Sequence, residues 1–185
     1  MRPMAIVLGV VGLAMSGGTA SAQVKIEPDQ QYLILEVSKL ATFEDELSEA
    51  AKLGFRIMMS TTSDNGQRIQ ALLERAATPS TPFEYRMVAT ASTKTGDKEM
   101  NAAAAEGFRV VPHTAMLKKG LTVFNANEVE IMEKSATPGD FFEYLTITAV
   151  RTGTFHRELR TAVEQGWRVV DMTYGKVLLE RKRQP

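Results

Sequence analysis

The chain has 185 residues, of which 24% are charged and 44% are hydrophobic, and its 22 basic residues balance its 22 acidic ones. These values exclude a disordered chain, a collagen-like chain and a multi-pass membrane protein, and zero net charge creates no overall field that would attract nucleic acid. The chain contains no cysteine, which excludes disulfides, thiolate metal sites and cysteine nucleophiles.

Residues 1–22 have the pattern of a secretory signal peptide. Arg2 is followed by an uncharged, mostly apolar run over residues 4–15, and the segment ends in Ala20-Ser21-Ala22. A membrane-spanning helix needs about 20 apolar residues, so this run predicts cleavage after Ala22 and a periplasmic or secreted protein. We expect no stable membrane span after cleavage; the alternative is an uncleaved N-terminal anchor.

Three segments of the remaining chain share one arrangement of residues. In each, a tyrosine opens an apolar run, and 22 residues later a glycine precedes an aromatic residue and an arginine. The tyrosine and glycine pairs are Tyr32 and Gly54, Tyr85 and Gly107, and Tyr144 and Gly166. Each segment closes on two apolar residues, a glutamate and a base, namely Leu72-Leu73-Glu74-Arg75, Ile131-Met132-Glu133-Lys134 and Leu178-Leu179-Glu180-Arg181. Such regular spacing predicts tandem repeat units over residues 23–79, 80–138 and 139–185.

Each unit is predicted to run strand, helix, strand, strand. The tyrosine runs are rich in β-forming residues, and apolar residues at helical spacing follow them, such as Phe43, Leu47, Ala50 and Ala51. A threonine is the expected helix cap in each unit, and a left-handed glycine is the expected helix end. The capping threonines are Thr42, Thr95 and Thr154.

The predicted fold class is therefore α+β, with three tandem βαββ units. Each unit is expected to be a small, mostly antiparallel sheet with one helix, and the units should pack as a compact pseudo-repeat because about 54 residues are marginal alone. Two arrangements stay open, a pseudo-trimer with the helices outside and sheets joined edge to edge.

The motif around each glycine resembles that of a family of small bacterial domains of unknown function. Members of that family begin Tyr-x-apolar-apolar and carry a Glu-Gly-Trp-Glu-apolar-apolar motif. Here the motif reads Leu53-Gly54-Phe55-Arg56, Glu106-Gly107-Phe108-Arg109 and Gln165-Gly166-Trp167-Arg168. The resemblance covers nearly all of the predicted mature chain in three copies, and it implies the fold but no chemistry.

One glutamate and one arginine recur at fixed places in every unit. The set comprises Glu46, Glu99, Glu158, Arg56, Arg109 and Arg168. These side chains could gather about a pseudo-threefold axis and bind an anionic or polar ligand, since arginine suits bidentate contacts to carboxylate or phosphate. The alternative is structural, with each glutamate in a first helical turn facing the helix dipole and each arginine in a weak surface ion pair.

No catalytic, metal or cofactor signature is found in the sequence. The two histidines, His113 and His156, are too few for a zinc site that normally takes three or four ligands. Motifs for a nucleophile elbow, a phosphate loop or a zinc protease are lacking. We therefore predict no catalytic residue, no metal and no cofactor.

The segment Pro112–Glu128 makes unit 2 the longest between its glycine and its closing glutamate. It is apolar and basic, and insertions of this kind often lie on a binding face of repeat proteins. Lys118, Lys119 and Phe124 are the expected partner-loop residues. The alternative is that the segment extends the hairpin and packs on a neighbouring unit.

Three functions remain open at this point. The first is an exported, non-enzymatic binding or interaction module with an unknown protein or small-molecule partner. The second is a small-ligand pocket protein or hydrolase that uses the repeated glutamates and arginines. The third is a self-associating structural protein of the cell envelope.

Overall fold

A computed structural model of the protein describes residues 29–76, 83–119, 126–135, 139–148, 151–173 and 175–183. These residues form three helices and three antiparallel sheets, which confirms the α+β class with three sheet units. The predicted signal peptide, residues 1–22, and the partner-loop residue Phe124 lie outside the described residues. In the part of the chain that is described, no helix is long and apolar enough to cross a bilayer.

The three units share one order of elements. Unit 1 contains β1 (Tyr32–Val37), α1 (Leu40–Lys52), β2 (Phe55–Ser63), a 3-10 turn (Asp64–Gly66) and β3 (Arg68–Arg75). Unit 2 contains β4 (Glu84–Thr90), α2 (Thr93–Ala105), β5 (Arg109–Val110), β6 (Met116–Lys119) and β7 (Ala126–Lys134). Unit 3 contains β8 (Phe142–Thr148), α3 (Thr152–Glu164), β9 (Arg168–Thr173) and β10 (Lys176–Lys182).

The last strand of each unit lies at the centre of its sheet. The strand orders are β1-β3-β2, β4-β7-β5 and β8-β10-β9, and every pair is antiparallel. In unit 2 the long segment adds β6, which pairs with the first half of β7. The extension of the hairpin, which was the alternative interpretation of this segment, is thus present, and it makes this sheet four-stranded.

The helices begin earlier than predicted. Their N-terminal flanking residues are Lys39, Ser92 and Arg151, and none of these makes a side-chain cap. Thr42, Thr95 and Thr154 occupy the third helical position, so their assignment as caps is wrong. The first helical bonds form without them; the Phe43 N–H, for example, donates to the Lys39 carbonyl at 3.0 Å, and exposed N–H groups in a first turn can be satisfied by water.

The predicted helix ends are confirmed. Gly54, Gly107 and Gly166 have φ angles of 86°, 93° and 86°, a left-handed conformation that costs a residue with a Cβ considerably more. In α1 the predicted apolar face is buried, namely Phe43, Leu47, Ala50 and Ala51. In α3 only Ala162 of the matching face is buried, and Val163 is exposed.

Each following unit covers the helix of the unit before it. Helix α2 packs on one face of the second sheet. The opposite face of that sheet contributes Tyr85, Val129 and Ile131 to the core around α1. The third sheet contributes Tyr144 and Leu178 to the core around α2. Two of the three apolar core clusters therefore extend across a junction between units, which helps to stabilise units of this size.

The units form an open row. Hydrogen bonds and ion pairs connect unit 1 to unit 2 and unit 2 to unit 3, and among the described residues none connects unit 1 to unit 3. Neither arrangement left open by the sequence describes this packing. One face of the second sheet and one face of the third sheet instead pack on the helix and edge strand of the preceding unit. An amphipathic helix between two sheets buries more apolar surface than a helix on the outside.

Candidate functional site

The three repeated arginines bind the closing glutamates. Arg56 of unit 1 donates from Nε to Glu133 of unit 2 at 2.9 Å, and its Nη2 binds the second carboxylate oxygen. Arg109 of unit 2 donates to Glu180 of unit 3, from Nε at 3.1 Å and from Nη2 at 2.7 Å. Two of the three arginines thus form bidentate bridges between successive units, a geometry that fixes orientation as well as charge.

Arg168, in the last of the three described units, binds a glutamate of its own unit. Its Nε donates to Glu180 at 2.7 Å, so that this carboxylate is shared by Arg109 and Arg168. The Glu180 side chain is 1% exposed. Burial disfavours the charged form, but the hydrogen bonds from both guanidinium groups outweigh it and hold the pKa of Glu180 below its ordinary value.

The bridging arginines also stack on aromatic rings of the next unit. The Arg56 guanidinium lies 4.7 Å from the centroid of the Phe83 ring, and the Arg109 guanidinium lies 4.0 Å from that of Phe142. A cation over a ring face is attracted to the π electrons. Each bridge therefore combines an ion pair with a cation–π contact, as expected of a structural junction.

The repeated helical glutamates are not the partners of the arginines in these bridges. Glu46, Glu99 and Glu158 occupy the seventh position of their helices, so the expected place in a first turn beside the helix dipole is wrong. Glu46 is half-buried and desolvation raises its pKa, whereas Glu99 and Glu158 are exposed. Among the described residues, the structure does not bring the six side chains together in one space.

The closing glutamates are the functional partners that sequence reasoning missed. Glu74, Glu133 and Glu180 lie opposite Arg56, Arg109 and Arg168 in the strand register. The repeated ending of two apolar residues, a glutamate and a base was the available signal. It could not be interpreted without knowing that the last strand is central and that its glutamate faces the preceding unit.

A tyrosine hydroxyl marks each junction. The Tyr85 hydroxyl accepts the Ile57 N–H at 3.1 Å, and the Tyr144 hydroxyl accepts the Val110 N–H at 2.9 Å, both in buried surroundings. These two N–H groups follow Arg56 and Arg109 in the chain. The tyrosine that opens a unit therefore satisfies an edge-strand donor of the preceding unit, which would otherwise be buried without a partner.

The partner-loop lysines contact unit 1. Lys118 donates from Nζ to the Gln67 carbonyl at 2.7 Å, and Lys119 donates from Nζ to Asn65 Oδ1 at 2.7 Å. The Thr62 hydroxyl donates to the Leu117 carbonyl at 3.2 Å. The described part of this loop therefore packs on the hairpin of unit 1, as the alternative interpretation expected.

A cleft between units 2 and 3 is lined in part by Glu130, which has the one buried side-chain oxygen without a hydrogen-bond partner among the described residues. Glu130 Oε2 is buried and has no hydrogen-bond partner, whereas Glu128 binds Lys176 at 2.6 Å and Asp171 accepts the Thr114 N–H at 3.0 Å. Burial first, and then the charges of Asp171 and Glu128, raise the pKa of Glu130 to about 8. Glu130 is therefore largely protonated at neutral pH. No group of three or more His, Asp or Glu among the described residues could hold a metal ion.

The two ends of the row present surfaces that are buried at the internal junctions. At one end, the head face consists of Tyr32, Ile34, Leu72 and Glu74 of unit 1. Tyr32 is 38% exposed, whereas its counterparts Tyr85 and Tyr144 are 8% and 3% exposed. The head face thus repeats the face by which each later unit covers the preceding one, and in the described part of the chain no other unit packs on it.

At the other end, the tail face consists of Val163, Arg168 and Val169 of unit 3. Val169 is 51% exposed, whereas its counterparts Ile57 and Val110 are buried. Val163 is also exposed, and the residues that match it in α1 and α2 are buried alanines. Repeat proteins normally close such ends with polar capping units.

Comparisons with protein-family models, curated proteins and solved structures gave no match for this chain.

Proposed function

We propose that the protein is a non-enzymatic interaction module that binds its partner through the head face and the tail face. One observation carries the proposal: both faces repeat the internal junction surfaces, and no unit among the described residues covers them. Exposed apolar residues rimmed by charged ones are typical of protein–protein contact sites.

The positions of the repeated side chains favour this proposal over a ligand pocket or a hydrolase. A binding pocket needs polar groups that converge on one space. Arg56 and Arg109 are engaged in bridges between units, and the helical glutamates lie elsewhere. The resemblance to bacterial domains of unknown function adds a fold expectation and no activity.

The partner loop is the less favoured surface. Lys118 and Lys119 already bind unit 1, so the same donors would have to leave those contacts to bind a partner. The end faces require no such exchange, because their apolar side chains are already exposed.

Export is a separate element of the proposal and rests on residues 1–22. We propose a periplasmic or secreted protein that begins at Gln23 after cleavage. Intact-mass measurement of the protein from cell fractions tests this directly. A mass that retains residues 1–22 in every fraction would contradict it.

The interaction itself is tested with one substitution on each face. Ile34→Asp and Val169→Asp place a charge in the head face and the tail face. Leu53→Glu is the matched control, because Leu53 is 52% exposed, lies in neither face and corresponds to Glu106 of unit 2. We expect immobilised wild type and control to retain partners, including further copies of the chain, and at least one face variant to lose them. Equal retention by all four proteins would contradict the proposal.

A further inference from the structure

We infer that the partner of the two end faces is a second copy of this chain, bound head to tail. This inference rests on the proposed function, since it names the partner for the same two faces. The head face of one molecule would cover the tail face of the next, as each unit covers the one before it.

The tyrosine position is the first feature that the two ends share with the internal junctions. Tyr85 and Tyr144 each accept an edge-strand N–H of the preceding unit. Tyr32 occupies the same position in unit 1, and the counterpart of Ile57 and Val110 at the far end is Val169. Tyr32 therefore has the position of the tyrosine acceptor in this contact, and Val169 has the position of the edge-strand donor. The two residues lie at opposite ends of the described row of units.

The apolar surfaces match in the same way. At the internal junctions, Met87 and Ile131 of unit 2 pack into the core around α1. Their counterparts in unit 1 are Ile34, which is exposed, and Leu72, which is half-buried. The α3 surface that would receive them includes exposed Val163. An apolar face and an uncovered helix thus remain at the two ends, and docking would remove both from water.

The charges are complementary. Glu74 of the head face corresponds to Glu133 and Glu180, each of which receives an arginine from the preceding unit. Arg168 of the tail face corresponds to the donors of those bridges. Arg168 is bound to Glu180, a carboxylate that Arg109 also holds, so it can turn to Glu74 of a second molecule without leaving Glu180 unpaired.

Such a contact is heterologous, because different surfaces of the two copies meet. A contact of this type does not close at two molecules; it continues into a ring or an open filament. The expected assembly is a series of oligomers whose size increases with concentration. In each oligomer, every unit would pack on the preceding unit, within a molecule and between molecules.

The test measures the mass of the protein by sedimentation and light scattering between about 10 μM and about 1 mM. The wild type and the Leu53→Glu control should increase in mass with concentration. Ile34→Asp and Val169→Asp should each weaken self-association at least about tenfold, since an aspartate would be buried at the centre of the contact.

A mixture of the two face variants provides the decisive comparison. Ile34→Asp retains a working tail face and Val169→Asp retains a working head face, so an equimolar mixture should form a dimer and nothing larger. Larger assemblies in the mixture would overturn the head-to-tail geometry, as would persistent association of either variant alone. Circular dichroism verifies that both variants are folded.

A monomeric wild type over the whole range would overturn the inference but not the proposed function. In that case, loss of a different partner by a face variant would show that the end faces bind another protein. If the face variants and the control retain partners equally, the proposed function fails as well.

Discussion

Replacing Glu180 with glutamine tests whether the shared carboxylate holds the third unit in place. Glu180 is 1% exposed and accepts hydrogen bonds from Arg109 and Arg168, whose side chains are 44% and 66% exposed. Glutamine preserves the volume and one acceptor oxygen but removes the charge. Both guanidinium groups then lose a charge-assisted bond at the same time.

The expected loss of stability is set by the fact that only the carboxylate of each ion pair is buried. Removing one partner of a fully buried ion pair costs about 3 to 5 kcal/mol, whereas an exposed pair is worth about 0 to 1 kcal/mol. Here the carboxylate is buried, but water can solvate the released arginines. We therefore expect Glu180→Gln to lower the free energy of unfolding by about 2 to 3 kcal/mol.

Urea denaturation of this variant measures the loss, and Glu74→Gln is the matched control. Glu74 occupies the same position in unit 1, is half-buried and receives no guanidinium from a preceding unit, so its loss should stay below about 1 kcal/mol. Equal losses in the two variants would refute the reasoning. Hydrogen exchange should also show the added opening concentrated in residues 139–183.

The pH dependence of the free energy of unfolding is a second test of the same carboxylate. The pKa of Glu180 is held below its ordinary value of 4.5 in the native state. The stabilisation by Glu180 is therefore present above pH 4.5 and is lost as the pH falls through the native pKa. The wild type should therefore lose this part of its unfolding free energy as the pH falls, and Glu180→Gln should not show that loss.

Three further predictions concern single positions. Tyr144→Phe should cost about 1 to 3 kcal/mol in urea denaturation, because it leaves a buried N–H without its acceptor, whereas Tyr32→Phe in the monomer should cost less than about 0.5 kcal/mol. Because the pKa of Glu130 rises from 4.5 to about 8 on folding, the native state binds the proton more tightly, and stability falls as the pH rises between these values. Glu130→Gln should flatten that fall and raise the unfolding free energy at pH 9 by about 1 to 4 kcal/mol; an unchanged pH profile would contradict it. Gly96→Ala should lower the melting temperature despite the better helix propensity of alanine, because its Cβ would lie 2.8 Å from Thr90 Cγ2.

Local patterns in the sequence were sufficient for the order of helix and strands that the three units share. The spacing of 22 residues between a tyrosine and a glycine marks where each first strand begins and each helix ends. Gly54 shows why this works, since its left-handed φ is a property of a few adjacent residues. The helix starts were misplaced, because two residues of each helix precede the expected cap.

The sequence could not predict the partners of the arginines. Arg56 and Glu133 are 77 positions apart, and the ion pair depends on how unit 2 packs on unit 1. The repeat drew attention to the helical glutamates, because they recur with the same regularity as the arginines. Regular recurrence indicates a shared fold, and it does not reveal which recurring residues meet in space.

The sequence by itself determined the composition class, the three units and the order of elements within each, because these depend on contacts within one turn, helix or strand. Only the tertiary structure decided that the units form an open row, that the closing glutamates bridge them, and that Tyr32 and Val169 are left uncovered at the two ends. The physical reason is that burial and ion pairing between units depend on the faces that distant segments present to one another, and no local pattern encodes that choice.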